Sequence, residues 1–298
     1  METAKINNDA FKLESLFNVK DEVAVVTGGG SGIGLMATQA LAVNGAKVYI
    51  TSRTASKLET VASNFGKGIQ GSIIPLTCDV TSKDSIEKLV DEISSHESHV
   101  DILINNAGID SGTFQTEASS ASEMKANLFD PEKSNPDDWA NVYKTNVASI
   151  FFMTMAFLPL LEKGSTRQGS HGWSSTVLNI SSISGHVKLP QHHFQYNASK
   201  GATTHLNRML AHEISSNNLK IRVNGIAPGV FPSEMTTGES DEVQKSAIPK
   251  EKFENKVPAA RPGNDRDMGA AVLAMVCNTY INGEMLTVDG GYTLMAGL

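Results

Sequence analysis

Little in this chain could cross-link it, anchor it or attract a polyanion. It has two cysteines, Cys78 and Cys277, far apart and without metal-ligand spacing. That excludes a disulfide framework and a zinc cage, and the expected setting is a reducing one, the cytoplasm. Positive charge is in deficit: 25 Lys and Arg stand against 32 Asp and Glu, a net of -7. No basic run interrupts that balance, so nucleic acid and anionic membrane are poor partners. No apolar stretch approaches the ~20 residues of a membrane span, and residues 1–18 lack the basic-then-apolar order of a signal peptide. Fixed-period repeats and low-complexity linkers are absent too. The expectation is one domain over 19–298, preceded by a polar tail over 1–18.

What is there alternates between two periods. Val23-Ala-Val-Val-Thr27 is a short, β-branched apolar run that reads as a buried strand. A glycine-rich turn follows, then a helical pattern from about Ile33 to Asn44 closed by Gly45. Further strands are expected at 47–51, 73–77 (beginning late because of Pro75), 100–104, 176–180, 221–227 and 285–288. Helices are expected at 55–65, 82–96, 136–161 and 194–216. Strands alternating with helices imply βαβ crossovers, hence an α/β fold: a doubly wound parallel sheet of the Rossmann type, covered on both faces. Two stretches break the rhythm. Ser111–Asn135 is polar and Ser/Glu-rich, and Phe231–Val257 is irregular around Pro232 and Pro249; the first is expected to be a mobile flap beside the substrate, with a disordered surface insertion as the alternative, and the second a substrate-side loop.

The turn Gly28-Gly-Gly30-Ser31-Gly32-Ile33-Gly34 lies between the first strand and first helix, where such sheets present a helix N-terminus to a pyrophosphate. Missing Cβ atoms let the backbone approach the phosphates, and free N–H groups favour anions. The second strand ends Thr51-Ser52-Arg53, with Lys57 one turn on and no acid between Gly45 and Leu58. A guanidinium suits a 2′-phosphate, whereas an NAD-type site places a carboxylate there for the ribose diol. NADPH/NADP⁺ is therefore the expected cofactor. Asp79-Val80 and Asn106-Ala107-Gly108 close the next two strands and would line the same crevice.

Tyr196-Asn-Ala-Ser-Lys200 puts a phenol and an ammonium on one helical face. A tyrosine has an ordinary pKa of ~10, and a nearby ammonium is expected to bring it toward working range. Asn179-Ile-Ser-Ser182 ends the strand before this helix, so Ser182 can polarise the oxygen that Tyr196 protonates. Two glycosylation sequons, at Asn179 and Asn197, fall inside these stretches, where a glycan would block the site, and read as chance matches. His192 and His193 are too few for a metal site, and no metal is expected.

In order along roughly 21–292, these motifs resemble the single-domain short-chain dehydrogenase/reductase family. The order is Thr-Gly-x-x-x-Gly-x-Gly, Asp79, Asn-Asn-Ala-Gly, Ser, Tyr-x-x-x-Lys, Pro228-Gly229 and Val288-Asp-Gly-Gly291. Within it the chain is most similar to 3-oxoacyl-carrier-protein-reductase-like members, including rhamnolipid-type reductases. The cues are Phe157-Leu-Pro-Leu-Leu161, Ala227-Pro-Gly-Val-Phe-Pro-Ser-Glu-Met-Thr236 and Val257-Pro-Ala-Ala-Arg-Pro-Gly263.

The resemblance implies a catalytic tetrad of Asn146, Ser182, Tyr196 and Lys200. Tyr196 would protonate the carbonyl, Ser182 orient it, and Lys200 hold the nicotinamide ribose, while Asn146 would hold a water relaying protons. It also implies cofactor contacts at Pro228, Gly229 and Thr236, and a homotetramer. Ser182 is preferred to Ser181 on the family's Ser-to-Tyr spacing. The expected activity is NADPH-dependent reduction of a small-molecule ketone, reversible as oxidation of a secondary alcohol. A nucleotide-sensing module, or an isomerase or cyclase with a structural cofactor, is the alternative on the same fold.

Overall fold

The computed structural model describes residues 8–132, 134–167, 174–254 and 256–297. Ahead of the sheet, the stretch read as a polar tail carries a short 3₁₀ turn and α1 (Leu13–Leu16), with Phe11 and Leu13 exposed. The first half of the sheet is β1 (Val23–Thr27), α2 (Gly32–Val43), β2 (Lys47–Ser52), α3 (Ala55–Phe65), β3 (Ser72–Thr77), α4 (Lys83–His96) and β4 (Ile102–Asn105). The insertion then contributes α5 (Ala121–Leu128) and leads to α6 (Pro136–Tyr143), which a π turn over Lys144–Ala148 joins to α7 (Ser149–Thr166). β5 (Ser175–Ile180), α8 (Phe194–Ser216), β6 (Ile221–Pro228), α9 (Glu234–Thr237), α10 (Asp265–Cys277), β7 (Met285–Val288) and α11 (Tyr292–Ala296) complete the chain.

All seven strands pair in parallel, in the order β3-β2-β1-β4-β5-β6-β7. Side chains alternate between faces, so each strand feeds two cores. Ala24 and Val26 of β1 join Val48, Ile50, Ile102 and Ile104 against Leu35 of α2, Leu58 of α3 and Val272 of α10. Val23 and Val25 join Leu103, Val177 and Val223 against Ile86 of α4, Phe157 of α7 and Leu210 of α8. Both faces are thus covered, which is why the strands read as continuous apolar runs. Burying one such side chain contributes roughly 1.5–3 kcal/mol. The chain reverses its winding between β1 and β4, and in such sheets the crevice at the strands' C-terminal ends takes the ligand.

Four details differ from the sequence reading. β3 runs through Pro75; it is an edge strand, where a missing N–H is tolerated. The long helix expected over 136–161 is interrupted by the π turn, which carries Asn146. The run Pro136–Thr166 is also long and apolar enough, by length and composition alone, to pass for a membrane span. In the fold it packs against α4, β4 and β5, with Phe157 and Leu161 wholly buried. Finally, part of the expected flap is helical. Ser120 caps α5 by accepting from Glu123 N–H, while the Glu123 carboxylate turns back to the Ser119 N–H at 2.8 Å. That Ser-x-x-Glu spacing was a start signal hidden in a polar stretch.

Candidate active site

The glycine-rich turn is shaped by close approach. A Cβ on Gly34 would lie 2.1 Å from the Gly28 carbonyl oxygen, and Gly28 itself has φ +67°. Asn106 ties this turn to the next strand end: its Nδ2 donates to the Thr27 and Gly28 carbonyls at 2.9 and 3.2 Å. The N–H groups of Asn106 and Ala107 donate to Thr27 Oγ1. The first turn of α2 holds no acid, and the side chain of its N-cap, Ser31, makes no capping bond. Its leading amides are left for an anion.

These elements open onto a cleft of about 1380 Å³, continuous with solvent. Its lining includes Gly28, Gly30, Ser31, Gly32, Ile33, Ser52, Arg53, Asp79, Val80, Asn106, Ala107, Gly108, Tyr196 and Lys200. Fourteen of the expected cofactor residues thus share one surface. Gly34, Pro228, Gly229 and Thr236 are not in that lining. Gly34 serves the tight packing already described. Pro228 ends β6 opposite Val288, and a Cβ on Gly229 would meet Asp289 at 2.8 Å, so this pair closes the β6–β7 ladder. Thr236 is turned into its own loop, its hydroxyl donating to the Phe231 carbonyl, while Ser233, one turn earlier, faces the cleft. Lys57, Thr81, Ile109, Thr145, Ser233 and Glu234 also line it; Thr81, Ile109 and Thr145 belong to no motif singled out in the sequence.

At the end formed by β2 and the glycine-rich turn the residues fit a nicotinamide dinucleotide. Arg53 is exposed at the end of β2, near enough to Asp79 for its charge to lower that carboxyl's pKa, after the larger effect of two hydrogen bonds from Thr81. Among the described residues Arg53 has no carboxylate within ion-pair distance.

At the other end Tyr196, Lys200 and Ser182 converge. Of the two serines it is Ser181 that is in the cleft lining, yet it is 2% exposed and its hydroxyl donates to the Lys200 carbonyl at 2.9 Å. Ser182 begins a 3₁₀ turn, accepts from Ser184 N–H at 3.1 Å, and interacts with the Tyr196 phenol. Lys200 Nζ donates to the Ile180 carbonyl at 2.9 Å and lies 5.6 Å from the Tyr196 ring centroid. The expected lowering of the Tyr196 pKa is not what this arrangement produces. Burial pushes the phenol up to about 12; the Ser182 hydroxyl pulls it down and the Asp110 charge pushes it up. Burial also pulls Lys200 down to about 8, because an enclosed ammonium loses its hydration. A phenol in this state is protonated at neutral pH.

Asn146 is buried, and its side chain is fully engaged. Oδ1 accepts from Ile109 N–H at 2.8 Å, and Nδ2 donates to the Ile109 carbonyl at 2.9 Å and to Ser199 Oγ at 3.1 Å. Its amide therefore braces the Asn-Ala-Gly turn against α8. Its backbone carbonyl accepts from Thr203 Oγ1. Behind the site runs a ladder the sequence did not disclose. Asn105 donates to Asn179, Asn179 to Asn207, and Asn207 to the Glu284 carbonyl. Asn179 is fully buried, so its sequon cannot carry a glycan in the folded chain. The insertion docks here too: Phe114 N–H donates to the His192 carbonyl, and His193 pairs with Asp110 at 3.1 Å, three residues before Tyr196. Among the described residues no cluster of three or more His, Cys, Asp or Glu could hold a metal.

The family model for short chain dehydrogenases matches residues 22–244. This chain belongs to that family. It is 38% identical over 281 residues to the short-chain dehydrogenase/reductase PhomF of Diaporthe leptostromiformis, covering 93% of this chain and 92% of the relative. It is 29% identical over 280 residues to the rhamnolipids biosynthesis 3-oxoacyl-[acyl-carrier-protein] reductase of Pseudomonas aeruginosa, covering 93% and 98%. Among solved structures, the Pseudomonas aeruginosa RhlG/NADP active-site complex superposes with a TM-score of 0.74 at 28% identity, over 93% of this chain and 98% of that one. The dehydrogenase fold described above is therefore that of an oxidoreductase family, with its glycine-rich turn and Tyr-x-x-x-Lys pair both inside the matched region.

Proposed function

We propose that this dehydrogenase reduces a small-molecule ketone with NADPH, and oxidises the matching secondary alcohol in reverse, with Tyr196 as general acid and base. The observation that carries the reading is one cleft with two chemically distinct ends. Ser31, Arg53 and the α2 amides gather at one end, and the Tyr196 phenol and Lys200 ammonium at the other, with the Ser182 hydroxyl hydrogen-bonded to the phenol from behind the lining. The Gly28–Gly34 turn would hold a pyrophosphate and Arg53 a 2′-phosphate. A nicotinamide bound there supplies or accepts a hydride. Ser182 orients the carbonyl oxygen of the substrate, and Tyr196, protonated at neutral pH, donates its proton to that oxygen as charge develops. Lys200, beside Tyr196 and linked to the β5 end, carries the balancing positive charge. Asn146 keeps the Asn-Ala-Gly turn and α8 in register.

A panel of ketones and secondary alcohols, offered with NADPH or NADP⁺ and then NADH or NAD⁺, tests the reading by cofactor absorbance. Turnover of ketones with NADPH supports it. Cofactor binding without turnover across the panel would favour a nucleotide-sensing module, and substrate rearrangement without net oxidation an isomerase. Cofactor choice has its own expected outcome. The double change Ser52→Asp with Arg53→Leu weakens NADPH binding by about 1.5 kcal/mol or more, roughly tenfold, and improves NADH binding, as read by calorimetry. Better use of NADH by the unaltered enzyme would contradict the assignment.

We further propose a homotetramer in a cytoplasmic setting, the latter supported by two free thiols, Cys78 and Cys277. Phe151 and Phe152 of α7 are 43% and 44% exposed and stack edge to face at 5.5 Å. Phe152 flanks a groove lined by Ile86, Val90 and Met155. Leu286 on the edge strand β7 and Leu294 and Met295 of α11 are exposed as well. Covering such patches in a symmetric assembly removes apolar surface from water. Light scattering at micromolar concentration is expected to give four chains; a monomer would reject this assembly.

A further inference from the structure

The segment after β6 lies across the glycine-rich turn. A Cβ on Gly32 would fall 2.8 Å from Ser233 Cβ. The next side chain, Glu234, reaches the groups that the cleft offers to an anion. Its Oε1 accepts from Lys57 Nζ at 2.5 Å and from Ser240 Oγ at 2.6 Å, and its Oε2 accepts from Ser31 Oγ at 3.3 Å. Ser31 belongs to the turn and Lys57 to α3, separated from Glu234 by 203 and 177 positions. A carboxylate here joins the pyrophosphate side of the cleft to its adenosine side. Burial raises the Glu234 pKa, but the Lys57, Ser240 and Ser31 hydrogen bonds outweigh it, so the group is ionised at neutral pH. Arg53, which lines the same cleft, has no carboxylate within ion-pair distance among the described residues, while the Lys57 charge is neutralised.

We propose that Glu234 is the cleft's own competing anion: in the nucleotide-free protein it holds Lys57 and Ser31, and a dinucleotide phosphate must displace it to bind. Glu234 thereby lowers cofactor affinity and narrows the margin between NADPH and NADH, because the cation it neutralises adjoins the 2′-phosphate position. The inference rests on reading the cleft as a nicotinamide dinucleotide site. Displacement also frees Ser233 and α9 from the turn, coupling cofactor entry to the segment on the substrate side. Because the observed affinity is the intrinsic one multiplied by the open fraction, releasing the latch tightens binding without adding a contact. Both partners are about a third exposed, with side-chain exposures of 37% and 31%. Solvent screening therefore keeps the effect modest, about two- to fivefold.

The test uses Glu234→Gln and Glu234→Ala in the full chain. Calorimetric affinities for NADPH and NADH are measured at low and high salt, and amide exchange over 231–240 is followed without nucleotide. The expected result is NADPH binding about two- to fivefold tighter in Glu234→Ala, with a smaller gain for NADH. The gain shrinks with salt and disappears in a Lys57→Met background. Exchange over 233–238 speeds up before any nucleotide is added. Wild-type binding of NADPH with no gain in either variant would overturn the latch alone. Equal gains for the two nucleotides would overturn its role in selectivity. A wild-type chain that binds neither nucleotide would overturn the reading of the cleft and this proposal with it.

Discussion

Tyr196→Phe lowers ketone reduction by about 10²–10⁴-fold while leaving the fold and NADPH affinity nearly unchanged. The change removes one hydroxyl and keeps a half-buried ring that lines the cleft. Without the phenol, the hydroxyl that Ser182 holds ready to give its proton is gone, and negative charge grows on the substrate oxygen unrelieved by it. Ser182 remains to orient that oxygen, so the loss falls on turnover and not on binding. Because burial raises the phenol to about 12, Tyr196 holds its proton across the neutral range. Steady-state kinetics with parallel cofactor fluorescence reads both quantities at once. Near wild-type turnover in this variant would move the chemistry elsewhere in the chain.

Lys200→Met has two opposite effects. Turnover falls by about 10²-fold or more, because the ammonium that balances the site is gone. Stability at pH 7 rises by about 1–3 kcal/mol, because the fold no longer encloses a charge. The sign follows from where each state holds its proton. The unfolded lysine keeps it up to 10.5, whereas the native one releases it at about 8. Below pH 8 the native state therefore bears the full cost of a buried ammonium. Between about 8 and 10.5 the unfolded state binds more protons, so wild-type stability rises with pH and the advantage of Lys200→Met shrinks. Thermal melts of both proteins across pH 6 to about 10 check this. Combined with Tyr196→Phe, the kinetic losses should be strongly non-additive, as expected for residues that act as a unit. A variant less stable than wild type at pH 7 would show that the Lys200–Ile180 hydrogen bond outweighs the cost of burying the charge.

Much of this site was legible because the chemistry sits at strand ends. The β-branched run before Gly28, the acid-free end of β2, Asp79 and Asn106 are each local signals, and the parallel sheet brings them to one edge. α8 runs over the expected 194–216, carrying Tyr196 and Lys200 on one face. The preference for Ser182 over Ser181 came from the family's spacing; in the structure the Ser181 hydroxyl is bound to α8 and the Ser182 hydroxyl meets the Tyr196 phenol. What stayed hidden depends on distance or on burial. No local pattern joins Glu234 to Lys57, or Asn105 to Asn207. The π turn at Asn146 and the helix α5 follow from tertiary bracing and from a capping pair inside a polar stretch. The direction of the Tyr196 pKa could not be read from Tyr-x-x-x-Lys, because the same enclosure that brings the two groups together raises the phenol and weakens the ammonium. Thr236 and Ser233 share a short loop, and only its capping geometry decides which of them faces the cleft.

The most direct test of the account is isotopic. NADPH carrying deuterium at the transferable position is incubated with the enzyme and a ketone, and the product alcohol is analysed by mass spectrometry. The account predicts one deuterium on the former carbonyl carbon with the wild-type chain, and a loss of that product of about 10²-fold or more with Tyr196→Phe. Alcohol formed without deuterium, or labelled alcohol formed equally well by Tyr196→Phe, would contradict it.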